Sequence, residues 1–258
     1  MVGPGPLPPL QTSPAGLEPW VGNGWSVEVL FSEAGLSTTI LVHRHSDGGW
    51  LLLDCGPGVT RDLIDRQVWL PSLLGVVLTH GHADHMGGLF ALLSLLRLSG
   101  RRPPLPLFYP TDCREVDATV QLVRSVYGGS LPFVIEEHVL DPGARCTIGG
   151  ITIDAIAALH RGTRVAEDGR TTEGVRLNAL SLSLRHGGQK VVYGGDSAPH
   201  DGLRAIVAGA DLALLEATFP TAVPHAFEVH STLPEAHALA ATAKDSRLIH
   251  RIERPRPW

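Results

Sequence analysis

The chain has 258 residues, 43% of them apolar and 18% charged, with a formal net charge of −5. That is enough length and apolar content for a substantial core, and no run of about eighteen apolar residues offers a membrane span. The acidic balance, with only short basic stretches at Arg101-Arg102 and Arg251 to Arg256, argues against a protein that grips long RNA or DNA.

Three cysteines, Cys55, Cys113 and Cys146, are odd in number and far apart. They fit neither a disulfide framework nor a Cys-x-x-Cys zinc site, so a reducing, cytoplasmic setting is expected. The start, Met1 to Pro9, lacks a basic region followed by an apolar core and does not read as a secretory signal. Residues 1–24 read as a Pro/Gly-rich flexible lead-in, and 25–258 as one domain.

Short apolar strands are expected at Trp25 to Phe31, Thr38 to His43 and Trp50 to Asp54, with turn signals at Ser46-Asp47-Gly48-Gly49. A buried strand at Leu73 to Leu78 follows, then a helix from Leu89 to about Leu98 ended by Ser99-Gly100. Pro106 to Tyr109 reads as a strand and Val116 to Tyr127 as an amphipathic helix. The second half repeats this alternation without repeating the sequence. Its strands are Ile151 to Leu159, Leu180 to Leu184, Val191 to Tyr193, Leu212 to Leu215 and Leu248-Ile249, and its helices Gly202 to Ala208 and Pro234 to Lys244. Two mixed halves of this kind predict a sandwich with helices outside and a site at the seam.

The densest chemistry is Thr79-His80-Gly81-His82-Ala83-Asp84-His85-Met86-Gly87-Gly88, straight after the Leu73 strand. Imidazole and carboxylate in this spacing suit zinc and similar divalent ions, and a loop at a strand's C-terminal end is where open sheets place their sites. Alternation points His80 and His82 one way, while Asp84 and His85 can turn toward a second ion. The paired glycines are expected to let the backbone pass close to the metals. Four more candidates end apolar strands: His160, Asp196, Glu216 and His250.

In this order the set resembles the metallo-β-lactamase superfamily, over roughly Trp25 to His250. The resemblance implies a four-layer αββα sandwich of the α/β (α+β) class and a mono- or dinuclear metal centre. It implies that His80, His82 and His160 hold one ion, that Asp84, His85 and His250 hold another, and that Asp196 bridges them. The ions would be two divalent metals, zinc first and manganese as the alternative. Asp54 would support the metal loop by hydrogen bonding, with Cys55 a small buried neighbour.

Glu216-Ala217-Thr218-Phe219 and His230-Ser231-Thr232 resemble the ribonuclease Z-like phosphodiesterase branch. There the glutamate orients and charge-stabilises the histidine, so Glu216, His230 and, with them, Asp84 are the expected catalytic groups. A carboxylate partner favours the protonated imidazole that a leaving oxygen needs. Ser231 or Thr232 is the more natural cap for the helix that follows.

That branch carries a projecting arm that grips tRNA, between the positions of His160 and Asp196. Here the interval is short and carries Arg161, Arg164, Arg170 and Arg176. With the acidic balance, this favours a small phosphodiester, a cyclic nucleotide or a short RNA over long nucleic acid, and no membrane. Relatives are often dimers, which implies a possible homodimer. A lactone, carboxylic-ester or sulfate-ester hydrolase on the same scaffold is the alternative. A catalytically silent binding protein would predict a decayed ligand set, and this one is complete. His43, His45, His138, His186 and His237 lack supporting context, whereas His200 and His225 fall in loops near the expected site.

Overall fold

The computed structural model describes residues 18–165, 171–221 and 229–252. The lead-in to Leu17, Arg170, His225 and the terminal stretch from Glu253 lie outside the described residues. The first sheet runs β1(Trp20–Val21), β2(Trp25–Glu33), β3(Ser37–Arg44), β4(Gly49–Leu53), β5(Leu73–Val77), β6(Leu105–Tyr109), β7(Ile135–Val139), each strand beside the next. Its pairs are antiparallel from β1 to β4 and parallel from β4 to β7.

The second sheet contains β8(Arg145–Ile148), β9(Ile151–Ala157), β12(Leu180–His186), β13(Gln189–Tyr193), β14(Leu212–Glu216) and β15(Ser246–Ile249). Its spatial order is β15-β14-β13-β12-β9-β8, with β13, β14 and β15 parallel. Between β9 and β12 the chain forms a separate hairpin, β10(Arg161–Val165) with β11(Thr171–Arg176).

Side-chain alternation shows why these strands need four layers. Leu51 and Leu53 join one apolar cluster and Leu52 another, as Ile40 and Val42 part from Leu41. The first cluster, with Trp25, Leu182, Tyr193 and Leu214, fills the space between the sheets. The other carries Leu89, Leu92 and Leu96 of α3(Leu89–Leu98) and Val116, Val120 and Val123 of α4(Arg114–Tyr127) against the outer face of the first sheet. On the far side, Val192, Ala213 and Leu215 pack against α5(Asp201–Val207) and α6(Leu233–Ala240). Strands buried on both faces read as continuous apolar runs, so Leu51-Leu52-Leu53 was legible as a strand.

Several elements go beyond the sequence reading. A helix α1(Val59–Asp65) starts after Gly58, and β7, β8 and the β10/β11 hairpin fill stretches with no assigned strand. The helix expected from Pro234 starts one residue earlier, after Thr232, which forms a capping box with Glu235.

A buried leucine on a two-sided strand has no room to relax. Leu52→Ala should cost about 2–5 kcal/mol in urea unfolding, whereas Trp69→Ala, at a side chain 71% exposed, should stay within about 0.5 kcal/mol.

Candidate metal centre and catalytic dyad

The His-rich motif leaves β5 extended through His82 and then closes a single turn of helix, α2(Ala83–Met86). Its amides at His85 and Met86 both donate to the His82 carbonyl. The motif is therefore half loop and half helical turn, which divides His80 and His82 from Asp84 and His85. The glycines that follow do not serve the metals as expected. A side chain at Gly88 would strike the Cys55 and Gly56 carbonyls, and one at Gly56 the Asp84 carbonyl and Ser37 Oγ. Their role is backbone-to-backbone packing of the Asp54–Gly58 loop under the motif, held by Cys55 N–H to His85 O and Gly88 N–H to Cys55 O.

The fold brings three groups of potential ligand atoms together: His80, His82, His160 and Asp196; Asp84, His85 and His250; and Asp196, His230 and His250. In each group the atoms lie within 4.8 Å of one another. Asp196 faces two ways. Its Oδ1 lies 3.2 Å from His85 Nε2 and 3.5 Å from His250 Nε2, while Oδ2 lies 3.8 Å from His80 Nε2 and 3.9 Å from His160 Nε2. His250 Nε2 is also 3.2 Å from Asp84 Oδ2, an atom that accepts from Gly35 N–H.

Outer partners fix the imidazole tautomers. Asp54 Oδ2 accepts from His85 Nδ1 at 2.7 Å and from the Tyr193 hydroxyl at 2.6 Å. Thr79 donates its N–H to Oδ1 at 2.7 Å and its hydroxyl to Oδ2 at 2.9 Å. With its proton spent there, the Thr79 oxygen accepts from His80 Nδ1 at 3.1 Å. Thr218 Oγ1 repeats the device: it donates to Glu216 Oε2 at 2.6 Å and accepts from His250 Nδ1 at 3.0 Å. His160 Nδ1 donates to the Val229 carbonyl at 2.7 Å. All four rings thus turn a bare Nε2 inward, as metal-ligating histidines do.

These bare nitrogens face one another. His85 Nε2 and His250 Nε2 are 3.2 Å apart, and His160 Nε2 lies 3.1 Å from His82 Nδ1. His80 Nε2 and Asp196 Oδ1 are buried with no hydrogen-bond partner among the described residues. Converging lone pairs and an unsatisfied carboxylate oxygen are costly without a cation, and N/O donors of this kind suit divalent ions. The donor set fits a divalent metal.

Electrostatics agree for His80 and His160. Burial pulls His80 well below its usual value and His160 down to about 4, keeping both rings in the neutral form that ligates. His85 differs: burial opposes its charge, but Asp196 and Asp54 outweigh burial and hold the ring well above its usual value, so a cation at its Nε2 would take the place of a proton. Burial likewise opposes the Asp196 carboxylate, yet His250 and His85 keep it ionised. The backbones of Asp54 and His250 both sit in the left-handed region, with φ of 57° and 51°. Such conformations in non-glycine residues cluster at functional sites.

Beside the cluster, His230 Nδ1 lies 2.9 Å from Glu216 Oε1. Glu216 is buried and also accepts from Ser197 N–H at 2.8 Å. Burial pulls His230 down, but the Glu216 charge and hydrogen bond prevail and raise it to about 9. His230 is then protonated at neutral pH, with Nδ1 engaged and Nε2 left to hand on a proton. Thr232, not His230, caps α6.

Among the remaining histidines, His43 stacks on Trp50 and His138 on Phe108. His200 precedes α5 as its N-cap, with its Nε2 buried and without a hydrogen-bond partner among the described residues. The sequence reading gave no role to Thr79, Tyr193 or Thr218. Thr79 and Thr218 stand within the quoted motifs, and a hydroxyl near a ligand was the available signal. Tyr193 carried none, because only the sheet packing brings it to Asp54.

Residues 49–250 match the family model of the beta-lactamase superfamily domain. The chain belongs to that superfamily. Ribonuclease Z of Bradyrhizobium sp. (strain ORS 278) is 31% identical over 241 residues, covering 78% of this chain and 79% of that protein. Ribonuclease Z of Gemmatimonas aurantiaca is 29% identical over 260 residues, with 84% and 79% covered. These place the chain on the ribonuclease Z-like branch. Among solved structures, the short form of human tRNase Z superposes with a TM-score of 0.67 at 20% identity, covering 87% of this chain and 92% of that one. A diphosphatase of the PhnP family superposes at 0.61 and 20% identity, covering 90% and 89%. The αββα architecture is that of the superfamily, and the protein is a metal-dependent hydrolase. No helix among the described residues is long and apolar enough to cross a membrane.

Asp54 is isosterically converted to an amide in Asp54→Asn, which would set a donor against groups that themselves donate. Metal titration of the variant should show about 10–100-fold weaker binding, and an unchanged affinity would remove Asp54 from the supporting network.

Proposed function

We propose that this metal-dependent phosphodiesterase works through two divalent ions, zinc foremost, on a small phosphodiester. The supporting observation is the two-way Asp196 carboxylate, with one oxygen toward His80 and His160 and the other toward His85 and His250. His80, His82 and His160 would hold one ion and Asp84, His85 and His250 the other, with Asp196 shared. Such ions would supply Lewis acidity toward phosphoryl oxygens and lower the pKa of a bound water.

The chain's own residues do the rest. Asp54, Thr79 and Thr218 keep the ligand rings in one tautomer, so the site is set before substrate arrives. Glu216 keeps His230 charged, and His230 protonates the departing alkoxide oxygen as the ester bond breaks. Glu216 itself never needs to move a proton; its two oxygens are held by Ser197 and Thr218. The β10/β11 hairpin, with strands of five and six residues, is the short insertion between His160 and Asp196. That modest size and the net charge of −5 support a short substrate over a long nucleic acid.

Metal-loaded protein should cleave bis(p-nitrophenyl) phosphate; a chelator should stop it and added Zn²⁺ or Mn²⁺ restore it. Protein with full metal that spares this diester but opens lactones or sulfate esters would overturn the reading.

Asp196→Ala should lose metal from both positions and with it essentially all turnover. His230→Ala should retain its metal, measured by elemental analysis, but lose about 10²–10⁴-fold in kcat on a diester with a poor leaving group. Loss of metal from that variant would instead make His230 a ligand.

A further inference from the structure

One hydroxyl of the His230-Ser231-Thr232 motif has no task in the chemistry above. Thr232 caps α6 through its capping box with Glu235, which relieves Ser231 of that duty. Ser231 is buried and its side chain turns the other way, its Oγ donating to the Ser197 carbonyl at 2.8 Å. Ser197 directly follows Asp196 in the chain. Its N–H donates at 2.8 Å to Glu216 Oε1, the same oxygen that holds His230 Nδ1 at 2.9 Å. Glu216, His230, Ser231 and Ser197 therefore close a circuit of contacts one peptide away from the two-way carboxylate.

A ring held by one nitrogen still swings with its backbone, so the Glu216 bond alone does not aim His230 Nε2. Toward α6, Leu233 N–H reaches the Phe219 carbonyl at 2.7 Å, but at Ser231 itself the backbone contact from Phe219 N–H stretches to 3.3 Å, beyond the usual range for such bonds. The short tie at Ser231 is its hydroxyl. On the other side of His230, the Val229 carbonyl accepts from His160 Nδ1 at 2.7 Å. His230 is thus bracketed, with a tie to a ligand ring before it and a tie to the Asp196 loop after it. Ser197 Oγ completes the frame: it donates to the Ala198 carbonyl at 2.8 Å and accepts from Leu159 N–H at 3.0 Å, beside His160.

We propose that Ser231 is a positioning residue for proton delivery. Its hydroxyl registers His230 against the Asp196 loop through the Ser197 carbonyl, so that Nε2 meets the leaving oxygen. This rests on the phosphodiesterase reading and adds to it a residue that governs the departing group and not the metals. A misplacement of about 1 Å can cost about 10²-fold in rate, which is why a hydroxyl one residue from the proton donor matters to turnover.

The test compares two diesters of similar shape, bis(p-nitrophenyl) phosphate and diphenyl phosphate. p-Nitrophenolate departs readily without a proton, whereas phenol, with a pKa of about 10 like a tyrosine side chain, needs one. Metal-loaded Ser231→Ala should lose at least about tenfold in kcat on diphenyl phosphate and no more than about threefold on the nitrophenyl diester. KM for both, and metal content by elemental analysis, should stay at the wild-type level. Thr232→Ala removes the neighbouring cap and serves as the control; it should lower the melting temperature and leave the ratio of the two rates unchanged. Unchanged rates or equal losses on both diesters in Ser231→Ala, loss of metal from it, or the same selective loss in Thr232→Ala would overturn the assignment. If Ser231→Ala does not melt cooperatively, Ser231→Cys carries the same comparison, with a side chain of similar size and a weaker donor. Proton NMR supplies a readout that needs no turnover. The Nδ1 proton of His230, identified by its absence from His230→Ala, should exchange with solvent faster in Ser231→Ala than in wild type. A wild type that cleaves neither diester would fail the phosphodiesterase reading, whereas unchanged exchange would fail the role of Ser231.

Discussion

The site depends on one fully buried carboxylate, Asp54, at the C-terminal end of β4. It takes four hydrogen bonds: two from Thr79 after β5, one from His85 in the metal turn and one from Tyr193 in the opposite sheet. A buried anion without donors would be costly, so the partners are constrained as much as they constrain. The tie holds the ends of β4 and β5, the α2 turn and β13 in one register. It also explains why the seam between two apolar sheets can carry charge. Asp54, Asp84 and Glu216 are each met by donors from outside the ligand set, whereas Asp196 Oδ1 and His80 Nε2 face inward without a hydrogen-bond partner among the described residues.

Strand-end placement made most of the site legible. Buried strands bounded by turn residues stand out as apolar runs, and a polar residue just after such a run sits at the sheet's C-terminal edge. His160, Asp196, Glu216 and His250 were all found this way, and the structure gathers them around the His80–His85 motif. What escaped the sequence lacks that contrast. β7 reads Ile-Glu-Glu-His-Val with only its first residue buried, as an edge strand in water does. The β10/β11 hairpin has one apolar residue in each strand, Val165 and Val175, too few to stand out as an apolar run, and α1 follows a left-handed glycine with no side-chain cap to announce it. The double-glycine pair was visible but its reason was not, since the backbone it meets is thirty residues upstream in the Cys55–Gly56 loop.

The two hydroxyl relays, Thr79 to His80 and Thr218 to His250, deepen the symmetry between the halves. In each, a threonine gives its single proton to a buried acid and so must accept from the ring. Proton direction is thereby set by counting donors, without any bond to the ring's inner nitrogen. The Glu216 carboxylate serves two masters through this arrangement. One oxygen holds His230 and the other, through Thr218, steadies His250. The proton donor and a ligand ring are thus aligned by the same side chain.

His250 lies at the tip of β15, a four-residue edge strand whose neighbour is β14. The potential ligands begin at His80, in the first third of the chain, and are not complete until this last strand docks. A nascent chain emerging from the ribosome would carry the His80–His85 motif while His160, Asp196, His230 and His250 are still to come. Cation affinity, and with it hydrolytic power, would then arrive late and in one step, after both sheets have formed.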